Sequence, residues 1–216
     1  MRTVVFDLDG TLADTSADLL AAANACLPRA VLGAEDALTA FHGGRAMLRL
    51  GFERLGQVWT EADVDAAYPV LLEAYRQGIA VHTRLYPGAM EAVEALRGSG
   101  FAVSVCTNKP EGLADLLLTE LGVRGAFGAL VGADTFPTRK PDPVPYRAAV
   151  ERAGGVVARS MLVGDTETDA RTGVAAGIPV VLVTFGPEGR GVERFAPAAL
   201  LDRFEDLPGL AVRLLG

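Results

Sequence analysis

From Thr83 onward the chain alternates between two hydrophobic patterns. Short apolar runs rich in β-branched residues read as buried strands: FAVSVCTN (101–108), ALVGAD (129–134), SMLVGD (160–165) and PVVLVTFG (179–186). Between them lie stretches with helical spacing and helix stop signals. GAMEAVEALRGSG (88–100) puts Met90, Val93 and Leu96 on one face and ends in glycine. EGLADLLLTELG (111–122) ends at Gly122, and PVPYRAAVERAGG (143–155) opens with prolines and closes with glycines. Val4 to Phe6 make a further strand at the start, and a last short one is expected near Ala199–Leu201, followed by a closing helix. This alternation predicts an α/β fold, a Rossmann-like parallel sheet with helices on both faces.

Residues 16–80 carry no strand pattern. SADLLAAANACL, RAMLRLGFERLG and TEADVDAAYPVLLEAYRQG all read as helical. The last opens with Thr60 and Asp63 in a capping-box arrangement, and Pro69 is expected to kink or split it. A segment of about 65 residues exceeds what one crossover needs. The expected organisation is a core domain of residues 1–15 and 81–216 with a helical cap domain, 16–80, inserted after the first strand. Hinge strands are expected near 13–16 and 80–86.

Net charge narrows the partners. At −7, from 20 basic and 27 acidic residues, the charge argues against a nucleic-acid or acidic-membrane partner, which would want a basic patch. No apolar run approaches the roughly 20 residues of a membrane span, and Asp7 interrupts any signal-like start. A soluble, cytoplasmic protein is expected. Cys26 and Cys106 stand in no C-x-x-C or Cys/His cluster, so reduced apolar cysteines are expected rather than a disulfide or zinc site.

The chemistry gathers at predicted strand ends, where open parallel sheets bind ligands. The first strand runs into Asp7-Leu8-Asp9-Gly10-Thr11, the next into Thr107-Asn108-Lys109, and SMLVGD into Asp165-Thr166-Glu167-Thr168-Asp169, while Lys140 lies in a loop before a helix. Taken singly, DG is a turn signal and GDTETD a helix start with acids favoured by the dipole. Together they bring several acids, a hydroxyl and ammonium groups to one edge. Buried acids need a cation, and hard carboxylates without His or Cys point to Mg²⁺. No phosphate-binding P-loop, dinucleotide fingerprint or G-x-S-x-G element occurs.

Only Lys109 and Lys140 among the 20 basic residues are lysines; the rest are arginines. Against such a bias, a surviving lysine is either a chance survivor or a sign that a compact ammonium is preferred there to a planar fork.

The set DLDGT, TNKP, RKPDP and GDTETD, in this order and spacing, resembles the haloacid dehalogenase (HAD) superfamily. LYPGAMEAVEALRGSGF, CTNKP, KPDPVPY and VGDTETDARTGVAAGIPVV look most like its phosphoglycolate phosphatase subfamily. The resemblance implies that Asp7 is the nucleophile, forming an aspartyl-phosphate, and Asp9 the general acid and base. It implies Mg²⁺ held by the Asp7 and Asp165 carboxylates and the Asp9 main-chain carbonyl, with Asp169 as a supporting acid that orients Lys140 or a metal-bound water. Thr107 and amides near Asn108 would hold phosphate oxygens, Lys140 would neutralise charge on Asp7 and the transferring phosphoryl group, and Lys109 would be either a phosphate-side or a structural charge. Dehalogenating members lack an acid at the Asp9 position, so its presence implies phosphoryl transfer.

In such proteins the cap selects the substrate. Arg45, after the glycines of FHGGRAML, is positioned by sequence either to meet a substrate carboxylate bidentately or to lie on a solvated helix face. The implied substrate is a small phosphorylated metabolite, 2-phosphoglycolate first. Alternatives are β-phosphoglucomutase-like transfer, another sugar-phosphate or nucleotide phosphatase and, more remotely, a non-enzymatic phospho-acceptor switch.

Overall fold

In the computed structural model, which describes residues 1–56 and 58–216, the strands in chain order are β1 (Thr3–Phe6), β2 (Ala13–Asp14), β3 (Arg84–Leu85), β4 (Ala102–Cys106), β5 (Ala129–Val131), β6 (Ser160–Gly164), β7 (Val180–Val183) and β8 (Ala199–Leu201). The helices are α1 (Ser16–Ala25), α2 (Ala37–Phe41), α3 (Gly44–Leu55), α4 (Glu61–Gln77), α5 (Ala89–Gly98), α6 (Glu111–Glu120), α7 (Pro143–Arg152), α8 (Glu167–Ala176) and α9 (Leu207–Leu215). Met1–Ala13 and Leu85–Gly216 pack as one unit, Asp14–Arg84 as a second. The passages between them therefore fall slightly outside 16–80, and β2 and β3 pair there as a two-stranded sheet.

The first unit holds a parallel sheet in the order β5-β4-β1-β6-β7-β8. Strand order thus reverses at β1, so the β1–β6 junction is the switch point at which doubly wound sheets open a ligand crevice. Register aligns the strand ends: Phe6 lies opposite Val105 on one side and Val163 on the other. One step on, the Asp7 amide donates to the Val163 carbonyl (2.9 Å) and the Thr107 amide to that of Val131 (3.0 Å). Asp7, Thr107 and Asp165 therefore leave the sheet side by side.

Every residue of β1, β4 and β6 is buried, as expected of strands covered on both faces. Alternate strand residues face α7 and α8: Val5, Cys106, Val131, Leu162 and Leu182 join Tyr146, Ala149 and Val150 in one core cluster. Helices α5 and α9 pack together, against β4 and β6 respectively. On α5 the buried stripe is Ala89, Ala92, Val93 and Leu96, and Met90 is only half-buried.

The second unit is helical apart from its strand ends. Its core includes Leu19, Leu20, Met47, Leu48, Val64, Leu71 and Tyr75. The Thr60–Asp63 capping box forms at the start of α4. Pro69 does not split this helix, which runs unbroken from Glu61 to Gln77. A proline removes one intrahelical hydrogen bond, and the burial of Val64, Leu71 and Tyr75 on either side of it holds the helix together. Asp18 of α1 is buried and accepts from the His82 amide (3.0 Å), the Thr83 amide (2.8 Å) and the Thr83 hydroxyl (2.8 Å). The two ends of this unit are thereby tied to each other. No helix of the described residues is long and apolar enough to cross a membrane.

Candidate active site

The site is built from four loops of the first unit. After β1 the chain turns sharply at Gly10, whose φ of +78° is costly for any residue with a Cβ. The Gly10 amide closes the turn on the Ala13 carbonyl at 2.9 Å. This turn carries Asp7, Asp9 and Thr11. Asp7 is buried, with Oδ1 accepting the Leu8 amide (2.7 Å) and Oδ2 lying 3.1 Å from Nζ of Lys140.

Lys140 joins two acids. Its ammonium donates to Oδ1 of Asp169 at 2.7 Å, and its side chain is 1% exposed. The loop that delivers it is held by Asn108, whose Nδ2 donates to the Lys140 carbonyl at 2.9 Å. Thus the Asn108 side chain serves the protein's own backbone. Asp169 is also the third helical residue of α8. Its Oδ2 accepts from the Thr166 hydroxyl (2.8 Å) and amide (3.2 Å), completing a capping box with Thr166. The helix-start reading of GDTETD and the cation-partner reading are therefore both true of one carboxylate. Such a fold-back needs Gly164: a Cβ there would stand 2.3 Å from Cγ of Asp169.

Asp165 receives the Thr11 hydroxyl at 2.9 Å. Asp9, more exposed than the others, is gripped by Nζ of Lys109 at 2.8 Å and 3.0 Å, one distance to each oxygen. Thr107 accepts the Lys109 amide at 3.2 Å. Of the predicted site residues, Asp7, Asn108, Lys140, Asp165 and Asp169 thus form one hydrogen-bonded group, and Asp9 and Thr107 are joined through Lys109 in a second. Arg45 lies in the helical unit, where it pairs with Asp65 (2.5 Å) and stacks over Tyr68.

Three contacts were not foreseen: Thr11 to Asp165, Asn108 to the Lys140 carbonyl, and Lys109 to Asp9. The scarcity of lysine flagged Lys109. Spacing alone offers no signal for the other two, which span 154 and 32 residues.

Electrostatics follow from burial. Desolvation pushes Asp7 up to about 6; Lys140 opposes this, and Asp169 and Asp9 reinforce it. Asp165 is raised well above the ordinary carboxylate range, first by burial, then by Asp169 and Asp7. Burial alone would lower the pKa of Lys140, but Asp169 and Asp7 outweigh it and raise it. The adjoining Cys106 thiol is pushed up to about 12 by burial, which keeps it an inert core residue. Carboxylate oxygens of Asp7, Asp165 and Asp169 lie within 4.8 Å of one another. An all-oxygen cluster that burial leaves short of positive charge suits a hard divalent cation.

A family model for haloacid dehalogenase-like hydrolases matches residues 1–177. The chain is 40% identical over 217 aligned positions to a phosphoglycolate phosphatase of Mesorhizobium japonicum, covering 98% of this chain and 96% of the relative. It is 38% identical to one of Agrobacterium fabrum, covering 98% and 93%. A crystal structure from Haemophilus somnus, described as a predicted phosphoglycolate phosphatase, superposes with a TM-score of 0.84 at 25% identity, covering 97% of each chain. With its motif residues converging on one edge of a doubly wound sheet, this chain belongs to the haloacid dehalogenase-like hydrolases.

Proposed function

We propose that this enzyme is a Mg²⁺-dependent phosphatase of a small phosphomonoester, with 2-phosphoglycolate the leading substrate. The observation that carries the reading is the buried nucleophile pair: Asp7 beside the Lys140 ammonium at 3.1 Å, two residues before a more exposed Asp9. A carboxylate oxygen of Asp7 attacks phosphorus, the bond from phosphorus to the ester oxygen breaks, and Asp9 gives its proton to the departing oxygen. Water then attacks the aspartyl-phosphate, Asp9 takes its proton, and phosphate leaves Asp7 as a free carboxylate.

Lys140 stabilises charge gathering between Asp7 and the phosphoryl group, and Thr107 with the amides near Asn108 binds its oxygens. Asp7, Asp165 and the main-chain carbonyl of Asp9 would hold Mg²⁺, which when bound supplies positive charge against the phosphate. Asp169, engaged on both oxygens by Lys140 and Thr166, supports these groups from behind.

The helical unit acts as the cap that admits substrate. Arg45 is our candidate for meeting a substrate carboxylate, exchanging Asp65 for it. The substrate preference follows the names of the relatives at 40% and 38% identity.

Phosphate release from 2-phosphoglycolate, sugar phosphates, nucleotides and pyrophosphate, each in Mg²⁺ and in EDTA, tests this reading. Mg²⁺-dependent turnover led by 2-phosphoglycolate is expected. Preference for another ester would move the substrate assignment but keep Asp7 and Asp9 in their roles. Isomerisation of a sugar phosphate without net phosphate release would replace the phosphatase by a mutase. No turnover of any ester with Mg²⁺ would overturn the reading.

A further inference from the structure

The chain's two lysines divide the two aspartates of DLD between them. Lys140 stands against Asp7, and Lys109 holds Asp9; both lysine side chains are almost wholly buried, at 1% and 3% exposure. Arginine fills every other basic position in the sequence. Asp7 is pinned by the Leu8 amide as well as by Lys140. Asp9 is placed differently: its side chain is 20% exposed and sits at the start of a turn. A carboxyl at such a place samples several rotamers unless something holds it, and a catalytic acid out of position by about 1 Å loses about a hundredfold in rate.

Lys109 is built to hold it. Its amide is fixed by Oγ1 of Thr107 (3.2 Å) and its carbonyl by the Ala133 amide (2.9 Å), so its stem starts from a rigid point between two site loops. Its ammonium then reaches both oxygens of Asp9, at 2.8 Å and 3.0 Å. That chelate sets the plane of the carboxyl as well as its position. A single ammonium can stay on one oxygen while the other carries a proton.

We propose that Lys109 is a positioning residue for Asp9, orienting the carboxyl that protonates the leaving oxygen; the inference rests on the phosphatase reading above. In the step concerned, the ester P–O bond breaks as an Asp7–phosphorus bond forms. The proton passes from one Asp9 oxygen to the departing oxygen, while Lys109 keeps the other. A phenolate with a strongly electron-withdrawing ring leaves without that proton, and an alkoxide does not. Lys109 should therefore matter for alkyl esters and hardly at all for activated aryl esters.

The test compares kcat/KM, which covers steps up to release of the first product, on p-nitrophenyl phosphate and on the alkyl ester the wild type turns over best. Lys109→Met is expected to lose about 30- to 100-fold on the alkyl ester and less than about threefold on the aryl ester. Retained aryl-ester turnover in the same sample certifies the fold. Lys109→Arg, which restores a cation to Asp9, should recover part of the alkyl-ester rate even if the Met variant is poorly soluble. The Lys109→Met/Asp9→Asn double variant should be no slower on the alkyl ester than Asp9→Asn alone. Equal losses on both esters would mean that Lys109 binds phosphate directly, and additive losses that it acts apart from Asp9; either result overturns the inference. A wild type inert toward every ester in Mg²⁺ would instead remove the phosphatase reading beneath it.

Discussion

Nζ of Lys140 stands 3.1 Å from Oδ2 of Asp7, linking the end of β1 to the loop between β5 and α7. The same ammonium holds Asp169 at 2.7 Å. One buried cation thus fixes Asp7 and the first turn of α8 together. Removing one partner from a buried ion pair typically costs about 3–5 kcal/mol, because the others stay charged and unpaired. Lys140→Met is expected to lower the melting temperature and to reduce kcat by at least about a hundredfold. Lys140→Arg should not restore activity, since a planar fork does not fit where an ammonium with a 1%-exposed side chain sits. An Arg variant as fast as the wild type would show that any cation suffices.

Asp7 makes the metal-free protein sensitive to pH in a definite direction. Burial raises it from 3.8 to about 6. Between those values the folded protein keeps a proton that the unfolded chain has released, so stability falls as pH rises through this window. Asp7→Asn abolishes that cost. In EDTA, its melting temperature should exceed that of the wild type at about pH 7.5, and the gap should close only below pH 3.8, beneath the window. Melting curves of the two proteins across this range decide the matter, and an Asn variant less stable at the higher pH would contradict it.

Gly164 is the last residue of β6, and Asp169 folds back over it. A Cβ added there would lie 2.3 Å from Cγ and 2.5 Å from Cβ of Asp169. Neither β6 nor α8 can shift without disturbing the packed sheet. Gly164→Ala is expected to destabilise by about 1–3 kcal/mol, as other overpacking changes do. It should also slow turnover, because Asp169 carries the Lys140 ammonium. Denaturant titration and kcat measured on one preparation would check both effects. Full activity would mean that Asp169 can move without taking Lys140 with it.

In the helical unit, the Asp18 carboxylate is 3% exposed and closes the segment leading into β3 onto α1. Asp18→Ala leaves the buried Thr83 without this partner, at a cost of about 1–3 kcal/mol for a hydrogen-bonding group left unsatisfied. The amides of His82 and Thr83 should then exchange hydrogen much faster than in the wild type. Unchanged exchange there would show that neighbouring contacts, and not Asp18, hold the segment.

Much of this architecture was legible along the chain. The core strands β4, β5, β6, β7 and β8 fall where apolar, β-rich runs predicted them, because a strand covered on both faces must be apolar throughout. The capping box at Thr60 formed as spaced, and the helix start read in GDTETD is present, since N-capping is decided within four residues. Pro69 does not split α4, for the opposite reason. Local propensity argued for a break, whereas burial of Val64, Leu71 and Tyr75 along α4 outweighs one lost hydrogen bond.

The sequence by itself determined which strands enter the sheet and which residues stand at their ends, because both depend on short-range pattern and on the alternation of strand and helix. It also marked Lys109 and Lys140 through composition. The family resemblance already implied Lys140 beside Asp7, and only the tertiary structure decided that Lys109 meets Asp9. Lys140 belongs to Asp7 and Asp169, and Lys109 to Asp9, because sheet order places β1 between β4 and β6. Pairings across a hundred residues depend on register and crossover, and these are settled by long-range packing of the whole sheet. The same is true of Asp169, whose place at a helix start was readable locally and whose service to Lys140 the resemblance offered as one of two roles, but whose hold on that ammonium forms only once α8 packs against β6.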